Sequence, residues 1–159
     1  MKIKVVGISD MMVSNAVDES LITYSLGSSI GIVIYDPVAR VAGLLHSILP
    51  VSKMDPQKAS RAPYMFVDTG VNLLFKEAIK LGAEKKRLVV SAVGCSSIID
   101  DKVFFKIGER NFTVLRKFLW KNNILINKQD IGGDTSKTVK VSVMDGSITV
   151  KSGGLEKVL

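Results

Sequence analysis

The run Ile30-Gly31-Ile32-Val33-Ile34-Tyr35-Asp36-Pro37-Val38-Ala39-Arg40-Val41-Ala42-Gly43-Leu44-Leu45-His46-Ser47-Ile48-Leu49 decides how this chain folds. Two apolar, β-branched segments flank an Asp-Pro turn, which is the pattern of a β-hairpin. Taking Asp36 to Ala39 as a four-residue loop pairs Tyr35 with Arg40. Ile34 then faces Val41, Ile32 faces Gly43 and Ile30 faces Leu45, so one face is consistently apolar. On the other face Ser29 stands directly across from His46. Directly opposed residues have Cβ atoms ~5 Å apart, within reach of a hydroxyl-to-imidazole hydrogen bond. A five-residue loop would slip the register by one and spoil this pairing.

Working outward, Ile3 to Ile8 and Leu21 to Tyr24 read as strands before the hairpin. Pro50 to Pro63 is polar and irregular, a loop over one edge. Val67, Val71, Leu74, Ala78 and Leu81 recur at helical spacing and Gly82 offers a stop, predicting a helix over roughly 64–81. Arg87 to Val93 is a nearly all-apolar strand, as expected when both faces are covered. Phe112, Leu115, Phe118 and Leu119 mark a second helix over Gly108 to Asn122, and Ile124 to Asn127 is a short strand. Thr138 to Val143 alternates and is joined through Asp145-Gly146 to Ser147–Val150, a strong hairpin signal. The class is α+β: a single-domain α/β sandwich of mixed, largely antiparallel strands with two main helices, spanning 1–159.

Composition agrees with a packed domain. The chain has 159 residues, 47% of them hydrophobic and 23% charged, which excludes a disordered or fibrous polymer. A single cysteine excludes a disulfide framework and suits a reducing compartment. The charge-free run Ser20 to Tyr35 is interrupted by Gly27-Ser28-Ser29 and falls short of the ~18 apolar residues a membrane span requires. The start has no apolar stretch long enough for a signal peptide. The expectation is a cytoplasmic protein with no membrane insertion. Net charge is +7, but only residues 40, 61, 87, 110 and 116 are arginine, and aromatics are 6%. Nucleic-acid readers concentrate arginine with interleaved aromatics, so no nucleic acid is expected. The scattered lysines, and the denser Lys85-Lys86-Arg87, read first as solvated charge and second as attraction toward an acidic protein surface.

His46 is the only histidine. A hydroxyl after Gly-Ser at a strand edge, opposite that imidazole, has the form of a nucleophile and its base. A Ser–His pair in a hairpin is also ordinary polar filling, and no carboxylate is placed to orient the ring. Thr23, on the preceding strand, offers its hydroxyl or carbonyl to the other ring nitrogen. Cys95 follows Gly94 at the end of a buried-looking strand; it reads as a small buried hydrophobe, with a relocated nucleophile as the alternative. One histidine and one cysteine cannot complete a metal site unaided. Gly132-Gly133 and Gly153-Gly154 do not match a phosphate-loop spacing and read as turns. No cofactor and no metal are implied.

The series Thr23 through Leu26-Gly27-Ser28-Ser29, Asp36-Pro37-Val38-Ala39, Gly43, His46 and Leu49-Pro50 resembles the CheD family, the chemoreceptor glutamine deamidases of bacterial chemotaxis. The likeness continues at Asp68-Thr69, at Ile107-Gly108-Glu109-Arg110-Asn111 and at Asp130-Ile131-Gly132-Gly133, in the same order along most of the chain. The resemblance implies a CheD-like deamidase fold and a Cys–His pair, supported by a threonine, that hydrolyses receptor glutamines to glutamate. It implies methyl-accepting chemoreceptors and a CheC-like phosphatase as partners, both engaging the active-site surface. The base corresponds to His46, the supporting threonine to Thr23, and the nucleophilic cysteine to Ser29.

That substitution is the main departure. A thiol beside histidine is readily held as thiolate, whereas a serine hydroxyl must lose its proton during attack. The family's Gly-Gly-Ala-x-Met-Phe also becomes Val93-Gly94-Cys95-Ser96-Ser97-Ile98, and Ile131 stands where threonine is usual. Several departures together favour a natural site of weakened turnover. The alternative is a binding module that keeps the deamidase surface and docks receptors or the phosphatase.

Overall fold

A computed structural model, describing residues 1–97 and 106–159, places ten strands of those residues in two five-stranded sheets. In chain order these are β1 (Lys2–Val5), β2 (Asp10–Ser14), β3 (Glu19–Leu26), β4 (Ile30–Asp36) and β5 (Val41–Ser47), then β6 (Val89–Gly94), β7 (Ile126–Ile131), β8 (Lys137–Ser142), β9 (Ile148–Ser152) and β10 (Leu155–Val158). The helices are α1 (Pro56–Arg61), α2 (Val67–Lys80) and α3 (Ile107–Lys121). One sheet runs β1-β3-β8-β9-β10 and the other β2-β5-β4-β6-β7. Only β1–β3 and β6–β7 pair in parallel among these strands. The α+β sandwich with mixed, largely antiparallel sheets and two main helices is therefore what forms.

The hairpin strands are buried at every position and mostly apolar, because β4 is central and covered on both faces. Ile30, Ile32 and Ile34 point at α2 and α3, in one core with Val71, Leu74, Leu115 and Leu119. Val33 and Tyr35 point at the other sheet, in a second core with Leu21, Val139, Val141 and Val150. Each fully buried aliphatic side chain in these layers contributes roughly 1.5–3 kcal/mol. The order is sheet, sheet, helices.

The register differs from the sequence-based expectation. Asp36 pairs with Val41 and Tyr35 with Ala42, so the loop is Pro37–Arg40 and His46 lies opposite Gly31, not Ser29. The reason is local. Asp36 remains in the strand because its carboxylate accepts from Val38 N and Ala39 N, closing the turn after it. Sliding the pairing by two residues preserves which side chains share a face. Ser29 and His46 therefore stay on one face as diagonal neighbours.

Other elements differ in extent. β2 and β10 lack clear alternation and carry no strand signal in the sequence. Pro50 to Pro63 is not wholly irregular: Asp55 caps α1 by accepting from Lys58 N, with Pro56 at the first helical position. The first long helix starts at Val67, preceded by a short 3-10 turn over Pro63–Met65. β7 begins at Ile126 and extends to Ile131, because parallel pairing with β6 stabilises a polar run that has no strand pattern of its own. Arg87 is not free surface charge. Its guanidinium grips the fully buried Asp36 through Nε at 3.0 Å and Nη2 at 2.9 Å. Burial by itself would raise the Asp36 pKa, but hydrogen bonds from Arg87 and from the Glu84, Ala39 and Val38 N–H groups hold it well below the usual range. Among the described residues no helix is long and apolar enough to cross a membrane. Ile98, at the end of the departing Val93–Ile98 stretch, lies outside the described residues.

Candidate functional site

Three segments converge where the two sheets face each other. β3 carries Thr23 inward; a bulge after it, with Ser25 at φ 61°, returns Leu26 to the same core. The chain then turns through Gly27-Ser28-Ser29 into β4. β5 brings His46 back on the face shared with Gly31, whose missing side chain is matched by close approach of Leu26 and Val139.

These placements create a continuous hydrogen-bond chain. Thr23 Oγ1 donates to the Val6 carbonyl at 2.7 Å and lies 2.8 Å from His46 Nδ1. His46 Nε2 lies 3.1 Å from Ser29 Oγ. The Val6 carbonyl can only accept, so the single hydroxyl hydrogen of Thr23 is committed to it. Thr23 Oγ1 must then accept from Nδ1–H, which leaves the Nε2 lone pair to accept from the Ser29 hydroxyl. A neutral threonine thus sets the tautomer that a carboxylate sets in a serine triad. Burial pushes the His46 pKa down to about 4, so the ring is neutral and proton-accepting near pH 7. Thr23 is wholly buried and His46 nearly so, while Ser29 is 7% exposed. Of the three residues, Ser29 is the one that retains some solvent exposure.

The serine turn is held from β6. Cys95 N donates to Ser29 O at 2.9 Å and Ser96 N to Gly27 O at 2.7 Å. Gly94 has φ +114°, and a Cβ there would sit 2.5 Å from Ser29 O, so only glycine fits beside the serine. Cys95 itself is a core residue, 4% exposed. Burial pushes its thiol pKa up to about 12, the opposite of what a nucleophile needs. Asn111 of α3 is also buried and donates through Nδ2 to Ser28 O at 3.0 Å and Ile48 O at 3.2 Å.

The structure brings together all three residues singled out from the sequence, Ser29, His46 and Thr23, and keeps Cys95 apart from their side chains. Sequence reasoning missed the Val6 carbonyl, which decides the tautomer, and gave Asn111 no role. A main-chain carbonyl has no signature in a sequence. Asn111 was legible only as part of Ile107-Gly108-Glu109-Arg110-Asn111. Among the described residues no three His, Cys, Asp or Glu side chains are grouped to hold a metal ion.

Comparison with known proteins gives this arrangement a context. Residues 48–152 match the family model described as CheD chemotactic sensory transduction. A protein of Syntrophus aciditrophicus named "Probable chemoreceptor glutamine deamidase CheD 1" is 49% identical over 150 residues, covering 94% of each chain. A Solibacter usitatus protein named "Probable chemoreceptor glutamine deamidase CheD" is 41% identical, covering 98% of this chain and 92% of its own. One named in the same words from Pyrococcus horikoshii is 38% identical over 92% of this chain and 90% of its own. The crystal structure of Neisseria meningitidis protein NMB0706 (DUF152) superposes at a TM-score of 0.47 with 8% identity, covering 85% of this chain and 64% of that one.

Proposed function

The chain belongs to the CheD family, and from that premise we propose that it acts on bacterial chemoreceptors in the cytoplasm, hydrolysing glutamine side chains to glutamate with Ser29 as nucleophile, His46 as base and Thr23 as orienter. The observation that carries the reading is the unbroken relay from the Val6 carbonyl through Thr23 and His46 to Ser29.

In this reaction Ser29 Oγ attacks the glutamine Cδ as its proton passes to His46 Nε2. The resulting oxyanion would be met by main-chain N–H groups at Ser28 and Ser29. Collapse of the tetrahedral adduct breaks the C–N bond, and Nε2 returns the proton so that ammonia leaves. Water then attacks the ester, gives its proton to Nε2 and releases glutamate, and Ser29 recovers its hydrogen. One amide and one water become one carboxylic acid and one ammonia.

The difficult step is the first. An alcohol gives negligible anion at neutral pH, and an imidazole with pKa near 4 is a weak base toward it. A thiol in the same place would be far easier to ionise. This observation favours a second reading, in which the chain keeps the deamidase surface and docks receptors or a CheC-like phosphatase with slow or no turnover.

The test is incubation with a receptor cytoplasmic fragment, followed by peptide mass spectrometry for the one-dalton gain at glutamine. Conversion by the chain as it stands, lost in His46→Ala, supports the catalytic reading. Conversion only by Ser29→Cys supports the docking reading with an inherited site. No conversion by either protein, with no calorimetric binding to receptor fragment or phosphatase, overturns both.

A further inference from the structure

We propose that Asn111 is a positioning residue of the Ser29–His46 pair, setting both their separation and the orientation of the Ser28–Ser29 peptide. The inference rests on the reading of these two side chains as the reacting pair, and goes beyond it by adding a third element, α3, to the site.

The geometry is specific. Asn111 Nδ2 donates to Ser28 O at 3.0 Å and to Ile48 O at 3.2 Å. Ser28 immediately precedes the hydroxyl-bearing residue, and Ile48 follows His46 by two positions at the exit of β5. One amide group therefore joins the two segments whose spacing decides whether Oγ meets Nε2. Both acceptors are carbonyls, so the side-chain amide has only one useful orientation. The other end bears this out: Asn111 Oδ1 is buried and has no hydrogen-bond partner among the described residues. A buried acceptor without a partner is rare and calls for a reason, here the two carbonyls that take both bonds of the donor half.

The same contact acts on the peptide plane. In a trans peptide the carbonyl and the following N–H point in opposite directions. Holding Ser28 O toward α3 turns the Ser29 N–H away from the helix, presenting it as a fixed donor for developing negative charge. α3 can come this close because residue 108 is glycine: a Cβ there would lie 2.8 Å from the Cys95 carbonyl. Cys95 N in turn holds Ser29 O at 2.9 Å. The serine turn is thus gripped on successive carbonyls, Ser28 by α3 and Ser29 by β6.

The test uses Ser29→Cys, in which the rate of thiol alkylation by iodoacetamide against pH reports coupling between position 29 and His46 without any receptor. Cys95 is buried with its thiol pushed up to about 12, and peptide mapping separates the two sites. Adding Asn111→Ala or the similarly sized Asn111→Leu is expected to move the alkylation profile of the thiol at position 29 to higher pH and slow its alkylation at pH 7 at least tenfold. Asn122→Ala, which removes an amide bonded to Phe118 O at the far end of α3, should leave the profile unchanged. A folded Asn111 variant with an unaltered profile overturns the proposal. Independently of any variant, the Asn111 side-chain amide protons of the intact chain should exchange slowly with solvent. Exchange at the rate of a free amide also overturns it. A Ser29→Cys protein with no lowered thiol profile would count instead against the pairing of positions 29 and 46.

Discussion

Replacing Thr23 by valine preserves the shape of the side chain and removes only its hydroxyl. In the native chain that hydroxyl gives its hydrogen to Val6 O at 2.7 Å and receives one from His46 Nδ1 at 2.8 Å, at a position with no solvent exposure. The substitution strands one buried acceptor and one buried donor, each costing about 1–3 kcal/mol. The added methyl recovers ~1 kcal/mol of apolar burial. The expected net loss is about 1–5 kcal/mol, or roughly 3–15 °C in Tm for a chain of this size. A second consequence separates this from a generic core defect. Without an acceptor at Nδ1, the imidazole gains by moving its hydrogen to Nε2, where it can donate to Ser29 Oγ, and a ring so protonated cannot accept the serine proton. Urea denaturation measures the first effect and ring 15N shifts of the single histidine measure the second. Thr23→Ser should restore the tautomer and most of the stability. Stability within about 0.5 kcal/mol of the parent, with the hydrogen still on Nδ1, would refute the assignment of donors and acceptors along the relay.

Three further outcomes follow from the same structure. With His46 lowered to about 4 in the folded chain and near 6.5 when unfolded, the unfolded state binds the extra proton between those values. Stability should therefore be complete above about pH 6.5 and fall by roughly 3 kcal/mol on acidification to about pH 4. Urea melts across that window should show the slope, and His46→Phe should flatten it; an unchanged slope in the variant would assign the effect elsewhere. Asp36→Asn removes the charge of the buried carboxylate that accepts from Arg87 and from the Glu84, Val38 and Ala39 N–H groups, and should lower the urea midpoint in the same melts; an unchanged midpoint would contradict the role of the pair. Gly94→Ala forces a Cβ against Ser29 O at a left-handed φ and should destabilise by roughly 2 kcal/mol or more. It should also displace the Ser29 amide resonance, whereas Gly7→Ala, with open space around it, should leave that resonance in place.

Position 29 links the sequence to both functional readings. Family relatives resemble this chain closely enough to fix its membership, and the relay around His46 is intact. What the proposed chemistry lacks is an easily ionised atom at residue 29. A relay of neutral groups suits a thiol, which needs only a base of modest strength, better than an alcohol. The strongest contrast is thus between this chain and its own Ser29→Cys variant, since every supporting contact is held constant.

Period and composition made much of the fold legible. Helical spacing located α2 and α3 to within a few residues, since Val67, Val71, Leu74 and Ala78, and Leu115 and Leu119, are buried by one face each. The hairpin was legible because only a doubly covered strand is apolar throughout. β7 was legible only at its start, where the strand expected over Ile124 to Asn127 overlaps it, because Lys128, Gln129 and Asp130 become strand only by pairing with β6. The observed register lies two residues from the one the sequence suggests, because Asp36 looks like a loop residue but stays in β4, closing the turn after it on Val38 N and Ala39 N. Ser29 and His46 nonetheless share a face, since an even shift preserves side-chain parity.

By itself the sequence determined which groups were available: one imidazole, a hydroxyl at the turn before β4, a threonine on β3, and the alternation that puts them on inward faces. Those are consequences of local periodicity, which acts over a few residues. Only the tertiary structure decided that Thr23 reaches across from the opposite sheet, that a carbonyl at Val6 dictates where its hydrogen goes, and that Asn111 ties the serine turn to the end of β5. Hydrogen-bond direction and burial depend on atoms from segments far apart in the chain, and no pattern within any one segment carries them.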